Sequence, residues 1–473
     1  MSSSDDPRAI AASSCGPRDS RSGTGDPGDA ASSSSDHGDR AAPSAGAVDC
    51  RIRAVRARRV WDSRGRPTVE AEIELAGGAV GRAIVPAGAS KGSREAHELR
   101  DGGAPFGGLD VLQAVAHVET EIARAVVGLR ADDQVALDQR LIELDGTPTK
   151  SRLGANATLA VSMAAAHAAA TARCVPLHEY LGGTAATLMP LPQIQIFGGG
   201  AHAGRRVDIQ DFMVVCPAAR TFAEALEWTA EVYRHAGLVM QARGASLGVA
   251  DEGGWWPDFV SNEEALTTLV EAIERAGYAP GEQVAIALDI AASDFGREGR
   301  YTLGLDAKVL DSDGMIELLL GWIDAYPIVS IEDPLGEDDA DAFVRFTRAA
   351  GDRLQIVGDD FLVSDAALVA DAAALGAGNA VLLKPNQRGT LSETLEAWRA
   401  AQSVGYAGIV SARSGETEDT TIVHLAIGWG SGQLKVGSFA RGERMAKWNE
   451  AIRIEERLGA RATLAHPWPR RTR

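Results

Sequence analysis

The chain has 473 residues, of which 45% are hydrophobic and 24% charged, with a formal net charge of −18. That length suffices for two folded domains, or for one barrel with an added domain. The acidic balance excludes a general nucleic-acid binder and a partner of anionic membranes, but it leaves anionic small molecules open, because a few cations or bound metal ions reverse the field inside a cleft.

Residues 1–49 are dominated by Ser, Asp, Gly and Ala (SSSSDHGD), so they bury too little apolar surface to order themselves and are expected to be a disordered extension. They lack the apolar core of a secretory signal, and their aspartates do not suit an organellar transit peptide. From Arg51, RIRAVRARRVWDS and TVEAEIELA alternate as strands do, and GGAVGRAIVP reads as a further strand after a turn. Helices are predicted from Val111 to Val127 and over the alanine-rich, buried Ala155–Ala172. Strands first and helices after point to an α+β unit over 50–188.

Beyond Pro190 the rhythm changes. QVAIALDIAAS, PIVSIEDP, LQIVGDDF, NAVLLKPNQ, AGIVSARSG and QLKVGSF are short apolar runs without alternation, as in parallel strands buried on both faces. Helical patterns such as DSDGMIELLLGWIDAY and LSETLEAWRAAQSVGY separate most of them. This βα series predicts a barrel over 189–460; a doubly wound sheet is the alternative, without a glycine-rich dinucleotide fingerprint in its favour. The end, 461–473, is a short basic tail. No apolar run reaches transmembrane length. Cys15, Cys50, Cys174 and Cys216 lie far apart without a CxxC pair, so a reducing cytoplasm is the expected compartment.

The ends of the barrel runs carry Asp289, Glu332 with Asp333, Asp359 with Asp360, Lys384, Arg413 with Ser414, and Lys435. In a barrel all C-terminal strand ends open on one face, where sites are built. Any one of these charges alone reads as a cap or a solvated turn; the repeated register points to a site. Asp289, Glu332 and Asp359 are hard oxygen donors without His or Cys company, which favours Mg²⁺ over zinc. Lys384 and Lys435 could serve as base and anion clamp, since a buried lysine loses its proton when desolvation and nearby cations oppose its charge. A metal with a lysine base is equipment for removing a proton next to a carboxylate.

The ordered set DSRGRPTVEAEIEL, VPAGASKG, LDGTPTKSRLGANATLAVSMA, HAGRRVDIQDFM, DEGGWWPD, ALDIAAS, SIEDP, LLKPNQRGTLSET, RSGETEDTT and RGERMAKWN resembles the enolase family (phosphopyruvate hydratase) over Arg51 to Gly459. The resemblance implies an α/β fold, a modified (β/α)8 barrel of enolase type with an N-terminal α+β capping domain. It also implies a homodimer or higher homo-oligomer, two Mg²⁺ ions, and a phosphorylated small-molecule acid as substrate. Carried over, Asp289, Glu332 and Asp359 hold the firmly bound Mg²⁺, and Ser90 helps complete a second site. Lys384 takes the proton from C2 and Glu252 protonates the leaving hydroxyl. Lys435 binds the substrate carboxylate, and Arg413 and Ser414 grip the phosphate. His202 and Asp211 count with the catalytic residues, while His202, Gln210, in the strand after the histidine loop, and Ala412 line the substrate pocket.

Departures cluster on substrate-facing positions. Enolases ordinarily have histidine at Ala412 and glutamate at Asp211; Ala87, Lys91, Gly198, Arg205, Arg206, Trp256, Pro385 and Arg388 also differ. Trp255 and Trp256 are expected to pack the loop. Two enzymatic expectations follow. One is elimination of water from 2-phosphoglycerate to give phosphoenolpyruvate. The other is a specialised-metabolism paralogue forming carboxyphosphonoenolpyruvate in phosphinate or phosphonate antibiotic biosynthesis, with Ala412 making room and Arg205, Arg206, Lys91 and Arg388 supplying replacement charge. A non-catalytic enolase-like binding protein is the third.

Overall fold

The computed structural model describes residues 48–89, 91–245 and 248–468. The expectation of a disordered extension therefore lies almost wholly outside the described residues, as does the end of the basic tail. From Asp49 onward the chain forms one compact unit.

It begins with an antiparallel sheet of β1 (Ile52–Trp61), β2 (Pro67–Leu75) and β3 (Val80–Ile84), in that order. Local chemistry makes the first turn: Asp62 Oδ1 accepts from the backbone N–H groups of Arg64 (2.8 Å) and Arg66 (2.9 Å), and Gly65 supplies the left-handed residue at φ 69°. An irregular helical stretch over Leu112–Val126, with a π turn at Val118–Ile122, fills the predicted first helix. Helix α1 (Gln134–Asp145) was not foreseen, although Asp133 caps it by accepting from Ala136 N at 3.2 Å. Helices α2 (Ala155–Ala172) and α3 (Leu177–Gly182) follow.

Of the 18 residues of α2, 16 are buried. Alanine makes this possible, because its methyl lets other backbones approach closely. On one side lies β3, so near that a Cβ on Gly81 would stand 2.0 Å from Ala168 N. On the other side Thr158 Oγ1 donates to Gly389 O (2.9 Å) and Ser162 Oγ accepts from Leu391 N (3.0 Å).

Eight strands then close a barrel: β4 (Leu191–Gly198), β5 (Asp211–Val215), β6 (Ala285–Asp289), β7 (Ile328–Glu332), β8 (Gln355–Gly358), β9 (Ala380–Leu383), β10 (Ala407–Ser411) and β11 (Gln433–Gly437). The six apolar runs of the sequence are β6 to β11, all parallel. The modification lies in β5, which runs antiparallel to both β4 and β6. The outer helices are α4 (Phe222–Ala242), α5 (Asn262–Arg275), α6 (Ser312–Ala325), α7 (Ala340–Ala350), α8 (Ala366–Leu375), α9 (Leu391–Ser403), α10 (Thr421–Gly428) and α11 (Gly442–Leu458). Among the described residues, no helix is long and apolar enough to cross a membrane.

Where α2, α3 and α10 meet, three imidazoles are packed together. The His178 and His424 rings stack with centroids 5.7 Å apart, and His167 meets His424 edge-on at 6.5 Å. His424 is also 3.6 Å from Glu450 on α11.

Candidate functional site

The barrel gathers the predicted residues at one mouth. Asp289 ends β6 and Glu332 ends β7; Asp359, Lys384 and the Arg413–Ser414 pair follow β8, β9 and β10; Lys435 lies within β11. Because β5 runs the opposite way, its beginning faces the same mouth, and Asp211 pairs with Asp289 across the strands. Gln210 precedes β5 rather than lying in it, a correction to the expected placement. His202, Gln210, Asp211, Glu252, Lys384, Ala412, Arg413, Ser414 and Lys435 line one cleft. None of these, nor Asp289, Glu332 or Asp359, is more than 7% exposed. Ser90 lies outside the described residues.

Burying so many charges is tolerable only because they pair. Lys435 Nζ is 2.6 Å from Asp289, 2.9 Å from Glu332 and 3.2 Å from Asp211. Burial pushes its pKa down, yet Asp289, Glu332 and Asp211 reverse this and hold the ammonium far above its ordinary range. Lys384 pairs with Asp359. Here too burial and the cations Arg413 and Lys435 press the pKa down, while Asp359 and Glu332 win, so it is raised. Glu332 is driven well above the usual carboxylate range by burial and by Asp289.

Among the described residues, two donor groups have atoms within 4.8 Å of one another and could hold a metal ion: His202, Asp211 and Glu252, and Asp333, Asp359 and Asp360. In the second group the Asp333 carboxylate is already used, accepting from Asp359 N and Asp360 N at 2.8 Å each. The oxygens of Asp289, Glu332 and Asp359 do not all converge to that distance, since Lys435 stands between the first two and Lys384 holds the third. Glu332 Oε1 is nevertheless buried with no hydrogen-bond partner among the described residues. An orphaned carboxylate oxygen among crowded acids is what a hard divalent cation satisfies, so these residues fit a metal ion of that class.

Glu252 lies on the loop beside β4, with His202 Nε2 at 3.8 Å and Arg444 at 3.9 Å. Burial raises its pKa, but His202, Arg444, Lys435 and Lys384 outweigh burial and lower it. Arg444, fully buried, also donates to the carbonyls of Arg413 (2.7 Å) and Ser414 (2.6 Å) and so shapes the turn after β10. Ala412, on the same turn, lines the cleft. Sequence reasoning missed Arg444 and also Glu95, whose carboxylate meets Arg413; their signal is the charge in RGERM and SREAHEL, on elements whose approach to the mouth only the fold reveals. Trp255 stacks on Tyr233 with ring centroids 4.8 Å apart, which is loop packing, as expected.

The four extra cations are engaged elsewhere, which corrects the expectation that they supply charge to the substrate. Lys91 pairs with Glu98 (2.6 Å), Arg206 with Asp258 (2.7 Å) and Arg388 with Asp365 (2.6 Å), while Arg205 donates to Asp294 O (2.9 Å).

Comparison with known proteins agrees with this geometry. Residues 52–181 match the enolase N-terminal domain family and residues 186–468 the enolase C-terminal TIM barrel domain family. A relative, Enolase 1 of Desulfitobacterium hafniense (strain Y51), is 51% identical over 415 residues, covering 87% of this chain and 95% of that protein. With both halves matched and the charged barrel mouth in place, the chain belongs to the enolase family, and its activity is that of an enolase-type hydro-lyase.

Proposed function

We propose that the protein eliminates water from 2-phosphoglycerate, giving phosphoenolpyruvate, with Mg²⁺ as cofactor. The observation that carries this reading is the buried cleft that Lys384 and Glu252 line together with Asp211, Arg413 and Lys435. In this reading Lys384 takes the C2 proton, and Glu252, reaching in from the loop beside β4, returns a proton to the departing 3-hydroxyl. The trianionic substrate raises Glu252's affinity for that proton, because like charges oppose ionisation. Lys435 meets the substrate carboxylate, Arg413 and Ser414 hold the phosphoryl group, and His202, Gln210 and Asp211 order the pocket wall. Asp289, Glu332 and Asp359 would hold Mg²⁺, which would supply positive charge beside the substrate carboxylate when bound. A second Mg²⁺ involving Ser90, a capping domain over 50–188 on a barrel over 189–460, a homodimer and a cytoplasmic location belong to the same reading.

The test is a ³¹P NMR assay of 2-phosphoglycerate with Mg²⁺. Conversion to phosphoenolpyruvate supports the reading; a lack of conversion by folded, Mg²⁺-loaded protein overturns it. Ala412 favours a second reading, an analogue with an enlarged phosphorus group that yields carboxyphosphonoenolpyruvate, because a methyl replaces an imidazole beside Arg413. The outward pairing of Lys91, Arg205, Arg206 and Arg388 weighs against it. Turnover of plain 2-phosphoglycerate at least equal to that of the enlarged analogue eliminates this second reading. Ala412→His should then leave 2-phosphoglycerate turnover within a few-fold; a large gain would restore it.

A further inference from the structure

Glu95 lies in the segment that leaves the capping sheet, and the elimination just described makes no use of it. Its side chain is 7% exposed and meets Arg413 as a fork: Oε2 accepts from Nη1 and Oε1 from Nη2, both at 3.1 Å. Nη1 also donates to Asn386 Oδ1 at 2.9 Å. The end of the guanidinium is thereby fixed in plane, as bidentate carboxylates do.

The same carboxylate holds the capping loop. Glu95 Oε1 accepts from Gly92 N, and Glu95 N donates to Gly92 O, each at 3.2 Å. Gly92 itself is pressed on the barrel: a Cβ there would stand 2.9 Å from Val363 Cγ1 and 3.2 Å from Asp360 Cα. A little upstream, Ala87 and Gly415 exchange backbone hydrogen bonds of 2.9 Å in both directions. The cap is therefore fastened to the barrel turn both before and after Ser414.

From this geometry we infer that Glu95 is a positioning residue for Arg413: it fixes the plane of the guanidinium that meets the phosphoryl group and ties it to the loop at Gly92. The inference rests on the phosphate-binding reading of Arg413 given above. A guanidinium held by a fork meets a dianion without first losing rotamer freedom, so the carboxylate contributes to affinity without touching substrate.

Glu95→Gln keeps the shape but sets an amide donor against an Arg413 N–H. With Mg²⁺ present, KM for 2-phosphoglycerate and the Kd for inorganic phosphate, read by ³¹P line broadening, should each rise about tenfold. The Tm increase caused by Mg²⁺ should match wild type. Glu95→Asp, which keeps the charge, should recover part of the loss. A Mg²⁺ response that weakens in step with phosphate binding shows a general structural defect and overturns positioning. Unchanged or tighter phosphate binding in Glu95→Gln overturns it as well. Arg413→Gln separates the two levels: if it leaves phosphate binding intact, the reading of Arg413 falls and this inference with it. If only Glu95→Gln is silent, the positioning role alone is lost.

Discussion

The barrel mouth and the seam where α2, α3 and α10 meet both bury titratable side chains, by opposite means. At the mouth, acids and lysines neutralise one another at 2.6 to 3.2 Å around Lys435. In the seam, His167, His178 and His424 stay uncharged. Burial, together with the other two imidazoles, pushes His424 down to about 3, and burial also lowers His167 and His178. Asp419 faces His167, Glu179, Arg457 and Arg461 face His178, and Glu450 and Arg457 face His424. A charge-paired cluster is broken by removing one partner; a neutral cluster is broken by adding a proton.

The largest effect should come from the mouth. Lys435→Met leaves Asp289, Glu332 and Asp211 without their shared cation, and breaking a buried pair this way costs about 3–5 kcal/mol. Urea unfolding without Mg²⁺ measures it, and an unchanged midpoint would mean the acids are neutral there by themselves. Next is the packing beneath the seam. Gly81→Ala forces a methyl to within 2.0 Å of the α2 backbone, and about 1–3 kcal/mol of stability should be lost.

The acid response of the seam follows. His424 protonates near 6.5 when unfolded and near 3 when folded, so between these values the unfolded chain binds the extra proton and stability falls as pH drops. From pH 7 to 5 this amounts to about 2 kcal/mol, at roughly 1.4 kcal/mol per unit below 6.5. His424→Phe should flatten the pH dependence of unfolding by that amount; an unaltered slope would show that His424 titrates normally. Asp359 behaves oppositely: burial raises its pKa, but Lys384 and Arg413 outweigh burial and lower it. Smallest of all, Arg206→Ala removes a half-exposed pair with Asp258 and should change stability by less than about 1 kcal/mol. A large change in KM in that variant would contradict the outward pairing.

Much of the mouth was legible because a barrel converts sequence into place: a charge directly after an apolar run lands on one face. That rule finds Asp289, Glu332, Asp359, Lys384 and Arg413 from the sequence. It misses Asp211, which begins an antiparallel strand, so its placement came only from the family resemblance. It also misses Glu95, whose partner lies 318 residues away. The lysine and arginines proposed for the substrate were misjudged for a related reason: a charge's direction depends on the nearest acceptor, and Asp258, Asp294 and Asp365 come near their arginines only in the fold. The histidine seam was hidden because its members sit on three helices, one of them read simply as alanine-rich.

Helix α2 touches more than the capping sheet. Thr158 Oγ1 and Ala155 Cβ would lie 3.1 and 3.2 Å from a Cβ on Gly389, five residues after Lys384 and at φ +93°. A bulkier residue on this helix would therefore be felt twice, once as lost packing in the cap and once as a shift of the segment that carries the base. Variation in the cap is in effect screened by the chemistry at the mouth, and a library of α2 variants should lose turnover before it loses the fold.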